Sequence, residues 1–156
     1  MFNIIKYFLA GSDIKVKFYL NLMCDFKSRK KICRVISNRI QVKYGVFISP
    51  NAKFDKTLKL RHPIGIVIGE GVKIEENVII YQNVTIGADR IGGARLGNYP
   101  VIGSGTTIFS GAVLIGKIKI GKNCIIGANS VVTKDVPDNH IFAGVPARLI
   151  GKNNEL

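Results

Sequence analysis

The sequence contains only three cysteines, Cys24, Cys33 and Cys124, and no two of them form a Cys-x-x-Cys pair. This number and spacing predict neither a disulfide framework nor a zinc site. Histidine is also scarce, with His62 and His140 as the two members. A metal site built from several histidines, such as that of a carbonic anhydrase, is therefore excluded, and we expect no bound metal.

Long apolar runs are missing too. No uninterrupted stretch approaches the ~20 residues that span a bilayer. Residues 1–10 are largely apolar, but Lys6 interrupts them, and the pattern predicts neither a signal peptide nor a membrane-spanning helix. We therefore expect a cytoplasmic protein. Its 156 residues, 47% of them hydrophobic, suit one folded domain of roughly 150 residues.

Acidic residues are few: 10 against 23 basic ones, which gives a net charge of +13. Residues 1–45 hold ten of the basic and two of the acidic residues, and so contribute +8. A solvated helix face would explain this charge, and so would contact with an acidic glycan or with the anionic inner surface of a membrane. No nucleic-acid-binding motif accompanies it, so we expect no nucleic-acid partner.

An aliphatic residue recurs at every sixth position over most of the chain. The series comprises Ile68, Ile74, Ile80 and Ile86, and then Ile102, Ile108, Leu114, Ile120, Ile126 and Val132. Glycine often follows, as in Ile68-Gly69 and Ile126-Gly127. A period of six fits neither a helix nor a simple alternating strand, but it is the period of a hexapeptide β-helix.

The predicted fold class is therefore an all-β solenoid, a parallel β-helix of hexapeptide repeats over residues 43–150. The aliphatic residues should point inward and stack coil on coil at ~4.8 Å. A basic helical segment over residues 1–42 should precede the solenoid and a short tail over 151–156 should follow it. Phe2, Ile5, Phe8 and Leu9 are spaced for one apolar helix face, which could cover the first coil.

Two breaks in the repeat mark candidate sites, because insertions leave a solenoid as loops and function often lies on such loops. An earlier lattice of Ile48, Phe54, Leu60 and Ile66 is two residues out of phase with the next, and the slip falls at residues 61–65. The second break lies between Ile86 and Ile102.

Four segments resemble known sequences. HPIGIVIGE at 62–70 and YQNVTIG at 81–87 resemble serine acetyltransferases, and IGANSVVTKDVP at 126–137 and AGVPAR at 143–148 resemble the C-terminal signature of hexapeptide acyltransferases. The resemblance covers roughly residues 46–150. It implies a left-handed β-helix, a homotrimer with active sites between neighbouring subunits, and acetyl-CoA as the acetyl donor.

The resemblance also implies that His62 is the general base. An alcohol becomes an effective nucleophile only when a base removes its proton as it attacks the thioester. Imidazoles ordinarily have a pKa near ~6.5 and can accept that proton at cellular pH. His140 lies in a Pro-Asp-Asn-His turn and is expected to be structural or exposed.

The chain departs from serine acetyltransferases at two site positions. Tyr99 stands where those enzymes have a second histidine, and Phe47 stands where they have an aspartate. Because an amino-acid acceptor needs a carboxylate for its ammonium group, we expect an O-acetyltransferase acting on a sugar or surface polysaccharide. The alternatives are a serine O-acetyltransferase and a non-catalytic β-helical binding module.

The same resemblance assigns binding residues. Asn83 is expected near His62, where it would hold acceptor or oxyanion, and Tyr99 is expected to touch the acceptor. Small residues, Ser110, Gly111 and Ala128, are expected to line the pantetheine path. The expected phosphate contacts of coenzyme A are Thr133, Lys134, Arg148 and Lys152.

Overall fold

The computed structural model describes residues 11–89 and 97–153. Helices α1 (Ser12–Asp25) and α2 (Lys30–Tyr44) precede fifteen short strands. The strands are β1 (Phe47–Ile48), β2 (Lys53–Phe54), β3 (Lys59–Leu60), β4 (Val67–Ile68), β5 (Lys73–Ile74), β6 (Ile79–Ile80), β7 (Thr85–Gly87), β8 (Val101–Ile102), β9 (Thr107–Ile108), β10 (Val113–Ile115), β11 (Lys119–Ile120), β12 (Ile125–Ile126), β13 (Val131–Val132), β14 (His140–Gly144) and β15 (Ala147–Lys152).

Each helix buries one face, and the buried residues of α1 are Val16, Tyr19, Leu20 and Met23. The buried residues of α2 recur at the spacing of one helix face and are Cys33, Ile36, Ser37 and Ile40. The helix ends at Tyr44. The residue that follows it, Gly45, has a φ of 65°, which glycine adopts without strain. The helix therefore extends past the boundary predicted after residue 42. The predicted apolar face of Phe2, Ile5, Phe8 and Leu9 lies outside the described residues.

The strands form the three faces of a parallel β-helix. The first face has the order β1-β4-β7-β10-β13, the second β11-β8-β5-β2, and the third β15-β14-β12-β9-β6-β3. Lattice residues lie in register and point inward, as where Ile68 pairs with Ile86. All ten predicted lattice residues from Ile68 to Val132 are buried. The β-helix prediction is confirmed, and burial of each such side chain contributes about 1.5–3 kcal/mol.

The two breaks have different structural outcomes. Ile48 pairs with Ile68, and Ile68 pairs with Ile86, so the first coil is two residues longer than the next. The early series of Ile48, Phe54 and Leu60 therefore continues at Ile68. The prediction that Ile66 belongs to that series was wrong, because Ile66 is buried in the corner before β4. The second break includes residues 90–96, which lie outside the described part of the chain.

Different elements close the two ends of the solenoid. At the first coil, the Ser37 hydroxyl on α2 donates to the Ile48 carbonyl over 2.6 Å, and the Lys17 ammonium on α1 donates to the Leu58 carbonyl over 2.8 Å. At the last coil, β15 turns back and pairs antiparallel with β14. Within the described ranges, neither helix is long and apolar enough to cross a membrane.

Candidate active site

His62 lies at the corner that joins the third face to the first, which we call the His62 corner (residues 61–66, 81–84, 109–112 and 127–130). Its φ of 47° is uncommon for a residue with a side chain, although histidine tolerates it better than most. The side chain is exposed. The two-residue insertion thus raises His62 out of the stack, and the imidazole faces solvent instead of the core.

Aromatic rings line the corner beside His62. The centroid of the Tyr81 ring lies 6.4 Å from that of the imidazole, at an interplanar angle of 44°. Tyr81 in turn stacks on Phe109, with centroids 5.2 Å apart and planes inclined by 17°. Within residues 11–89 and 97–153, no side chain forms a hydrogen bond with the imidazole. Phe47, on strand β1, supplies no carboxylate there.

Asn83 lies on the next coil of the same corner. Its backbone N–H donates to the Ile64 carbonyl over 2.9 Å. Its Oδ1 occupies space that a Cβ on Gly65 would need, at 2.2 Å, and Gly65 has a φ of 64°. The structure thus places Asn83 against the segment that carries His62, as expected. Its contact with an acceptor or an oxyanion stays a prediction.

Tyr99 occupies a different corner, between the first and second faces. Its half-buried ring covers two glycines of the preceding coil: a Cβ on Gly71 would lie 2.2 Å from the ring, and one on Gly69 3.0 Å. The strand β4 separates this corner from His62. Contact of Tyr99 with an acceptor, at a site between neighbouring subunits, stays a prediction.

Ser110, Gly111 and Ala128 lie along the His62 corner on later coils. The N–H of Gly111 donates to the Gln82 carbonyl over 3.0 Å, and the N–H of Asn129 donates to the Ser110 carbonyl over 2.9 Å. Small residues thus occur at this corner on the two coils that follow the coil of Tyr81 and Asn83. This arrangement is compatible with a pantetheine path, and that role stays a prediction.

The four predicted phosphate contacts do not converge within one chain. Thr133 and Lys134 follow β13 at the end of the first face, whereas Arg148 and Lys152 lie on β15. Arg148 pairs with Ala143 and Lys152 with His140, at opposite ends of the hairpin. The four residues thus occupy three separate positions in one chain, and their contacts with the phosphates of coenzyme A stay a prediction.

The cysteines do not supply a nucleophile. Cys24, Cys33 and Cys124 are free thiols, and burial raises the pKa of each. A raised pKa keeps the thiol protonated and unreactive. Residues 11–89 and 97–153 contain no group of three His, Cys, Asp or Glu side chains that could hold a metal ion.

Sequence reasoning missed a cavity of about 490 Å³ between α2 and the first coil. Lys30 and Arg34 line it from the helix, and Phe47, Asn51 and Glu70 line it from the solenoid. The Asn51 side-chain N–H donates to Glu70 Oε1 over 2.6 Å, and Asn51 Oδ1 is buried without a partner in the described part of the chain. The lining thus combines two cations, one carboxylate and an amide oxygen that needs a hydrogen-bond donor, so the cavity suits a polar ligand.

A parallel β-helix built on a six-residue period is the fold of a hexapeptide-repeat protein. Residues 99–134 match the bacterial transferase hexapeptide family (six repeats). Serine acetyltransferase of Salmonella typhimurium is 40% identical over 127 residues, which cover 81% of this chain and 45% of that protein. The chain belongs to the hexapeptide-repeat acyltransferase family, within its serine acetyltransferase-like branch.

Solved structures extend the similarity to the whole chain. Serine acetyltransferase from Brucella abortus in complex with coenzyme A is 30% identical, with a TM-score of 0.83, and the match covers 100% of this chain and 62% of that one. The soybean enzyme complexed with serine is 35% identical, with a TM-score of 0.74, over 85% of this chain and 58% of that one. The predicted left-handed β-helix is confirmed. The chain spans about half the length of the curated relatives it matches.

Proposed function

We propose that the chain transfers an acetyl group from acetyl-CoA to the hydroxyl of L-serine, with His62 as general base. The observation that carries the proposal is the raised, solvent-facing imidazole at a corner that carries small residues on later coils. The relatives named serine acetyltransferases, some solved with coenzyme A or with serine, support donor and acceptor. They favour serine over the glycan acceptor predicted first.

The proposed reaction is a direct acyl transfer. The imidazole of His62 takes the hydroxyl proton while the hydroxyl oxygen attacks the carbonyl carbon of the thioester. The tetrahedral intermediate then expels the sulfur, which recovers the proton from the imidazolium. The products are an O-acetyl ester and free coenzyme A, and no covalent enzyme intermediate is needed.

An acidic glycan is the second candidate acceptor, and the positive charge of α2 favours it. That helix carries five cations and no acid, and Lys30 and Arg34 line the cavity together with Phe47. An anionic sugar would find charge partners and an apolar surface there. The cavity lies at the corner between the first and second faces, so a neighbouring subunit would have to supply the His62 that acts on a sugar bound there.

An acceptor panel decides between these candidates. Release of free coenzyme A from acetyl-CoA would be measured with L-serine, neutral sugars, uronic-acid oligomers and sialic-acid oligomers. We expect serine-dependent release that saturates with both substrates. Release only with acidic oligomers would establish the second candidate, and absence of both turnover and coenzyme A binding would support a binding module.

We also propose that the chain forms a homotrimer through the two faces that flank the His62 corner. Outward residues of the first face are Phe47, Val67, Thr85, Val113 and Val131, and those of the third face include Ile79, Thr107, Ile125 and Ile141. The second face instead presents Lys53, Lys73 and Lys119. Apolar faces are the ones that association buries most favourably.

A pair of valines tests this assembly. Val113 and Val101 are both half-buried and face outward, on the first and second faces respectively. We expect Val113→Glu to reduce the molar mass in solution to that of a monomer, because the charge would be desolvated at the interface. Val101→Glu is the matched control and should leave the mass unchanged. Light scattering after gel filtration gives the result; identical masses for both variants would contradict the proposed interface.

The basic surface of α2 supports one more proposal, a peripheral contact with an anionic membrane surface on the cytoplasmic side. Its exposed residues include Lys31, Arg34 and Arg39, together with Val35 and Val42, which are 68% and 90% exposed. Cations beside apolar side chains suit such a surface. Co-sedimentation with anionic but not with neutral vesicles is expected, and equal binding to both would contradict the proposal.

A further inference from the structure

A general base must hold its imidazole in one orientation during proton transfer, because a misplacement of about 1 Å can cost roughly 100-fold in rate. The backbone of His62 is fixed by its left-handed conformation, with φ at 47°. The side chain is exposed, so a neighbouring group must restrict its χ1 and χ2 torsions. No hydrogen bond holds the imidazole within residues 11–89 and 97–153, so ring packing is the restraint that these residues offer.

Tyr81 is the residue in position to do so. It lies on the coil next to His62, and its ring is tilted against the imidazole at a centroid distance of 6.4 Å, within the ~4.5–7 Å range of favourable aromatic pairs. Its backbone is fixed, because its N–H donates to the Ile108 carbonyl over 3.0 Å. The Tyr81 ring is therefore a wall on one side of the imidazole.

Phe109 keeps that wall in place. Its ring stacks on Tyr81 from the following coil, nearly parallel at 17°, and its own N–H donates to the Ile126 carbonyl over 2.9 Å. Tyr81 cannot rotate away from His62 without losing this stacking contact. Three rings on three successive coils thus form one ladder along the His62 corner.

We propose that Tyr81, held by Phe109, is the positioning residue of His62, and that it orients the general base by ring packing instead of through a carboxylate. The inference rests on the proposed acetyl transfer and deepens it. Tyr81 itself neither takes nor gives a proton in the reaction. Its ring shape matters and its hydroxyl does not.

Four variants test the ring ladder. We expect Tyr81→Leu to lower kcat by about 10- to 100-fold with little change in KM, because substrate still binds but the base is misplaced. Tyr81→Phe keeps the ring and should restore kcat to near the wild-type value. Phe109→Leu should give a smaller loss than Tyr81→Leu. Phe54→Leu, in strand β2 away from the corner, is the matched aromatic control and should leave kcat unchanged.

A second measurement does not depend on turnover. The NMR order parameter of the His62 ring, with His140 as internal reference, should fall in Tyr81→Leu and stay at the wild-type value in Tyr81→Phe. Wild-type kcat and order parameter in Tyr81→Leu would overturn the proposal, as would a loss confined to KM. If no acceptor supports turnover, the proposed function fails, and the order parameter still decides whether Tyr81 positions His62.

Discussion

The His62→Ala variant is expected to transfer acetyl groups about 10²–10⁴-fold more slowly than the wild type, which is the contribution typical of a general base. Since His62 is exposed, the substitution removes no core contact, and the solenoid should remain folded. Because the imidazole acts on the hydroxyl proton and not on the thioester, the KM for acetyl-CoA should change little. Release of free coenzyme A at saturating acceptor measures the loss.

The other histidine provides the control. His140 begins strand β14, and its Nδ1 lies 2.7 Å from the Asp138 carbonyl oxygen, on a different coil from His62. His140→Ala should therefore keep the wild-type rate. Equal rates in the wild type and in His62→Ala, with coenzyme A still bound, would remove His62 from the mechanism.

The Gly103→Ala variant is expected to lose about 3 kcal/mol of unfolding free energy, at the upper end of the cost of overpacking a core. A Cβ at this position would lie 2.6 Å from the carbonyl carbon and oxygen of Gly121 on the next coil. The obstructing atoms belong to the backbone, so no side-chain rotation relieves the clash. Two coils would have to separate, at the expense of bonds such as that from the Gly103 N–H to the Ile120 carbonyl at 2.8 Å.

Gly87→Ala is the matched control, because a Cβ on Gly87 would meet no atom of residues 11–89 and 97–153 within 4 Å. Its free energy of unfolding should stay within about 0.5 kcal/mol of the wild-type value. Urea denaturation of all three proteins at one protein concentration makes the comparison, since any self-association contributes to the measured stability. A Gly103→Ala protein as stable as Gly87→Ala would show that the coils are not in the close contact described.

The solenoid could be predicted from the sequence because its main interaction is local and periodic. Each inward aliphatic residue, such as Ile80 or Ile126, packs on its equivalent in neighbouring coils, so a count of six finds it. The His62 corner followed from the two-residue phase slip together with the motif at 62–70. Both signals lie within a few residues of the side chain concerned.

The arrangement around the corners could not be predicted in the same way, because it depends on which face a residue ends on. Tyr99 follows an insertion, and its assignment to a different corner from His62 becomes visible only once the coils are traced. Tyr81 and Phe109 are neighbours although the insertion separates them in sequence. Their shared position directly after Ile80 and Ile108, which pair in register, was the available signal.

The C-terminal hairpin was hidden for another reason. The six-residue period stops after Val132, and strand β15 runs against β14. After that reversal, the six-residue period no longer indicates where Arg148 and Lys152 lie in the fold. Their assignment as phosphate contacts came from resemblance alone, and β15 places them at opposite ends of the hairpin.

Different elements cover the two ends of the solenoid, and this difference affects whether copies of the chain can add to one another end to end. A stack of parallel coils with bare ends is a template on which further copies could add without limit, as in a fibril. Here α1 and α2 cover the first coil, and the last coil finishes in a reversed strand that carries Arg148 and Lys152. The end covered by the helices and the end finished by β15 both carry cations, so they repel each other, and their strand directions do not match. These closures oppose end-to-end polymerisation and leave the lateral apolar faces for the proposed trimer.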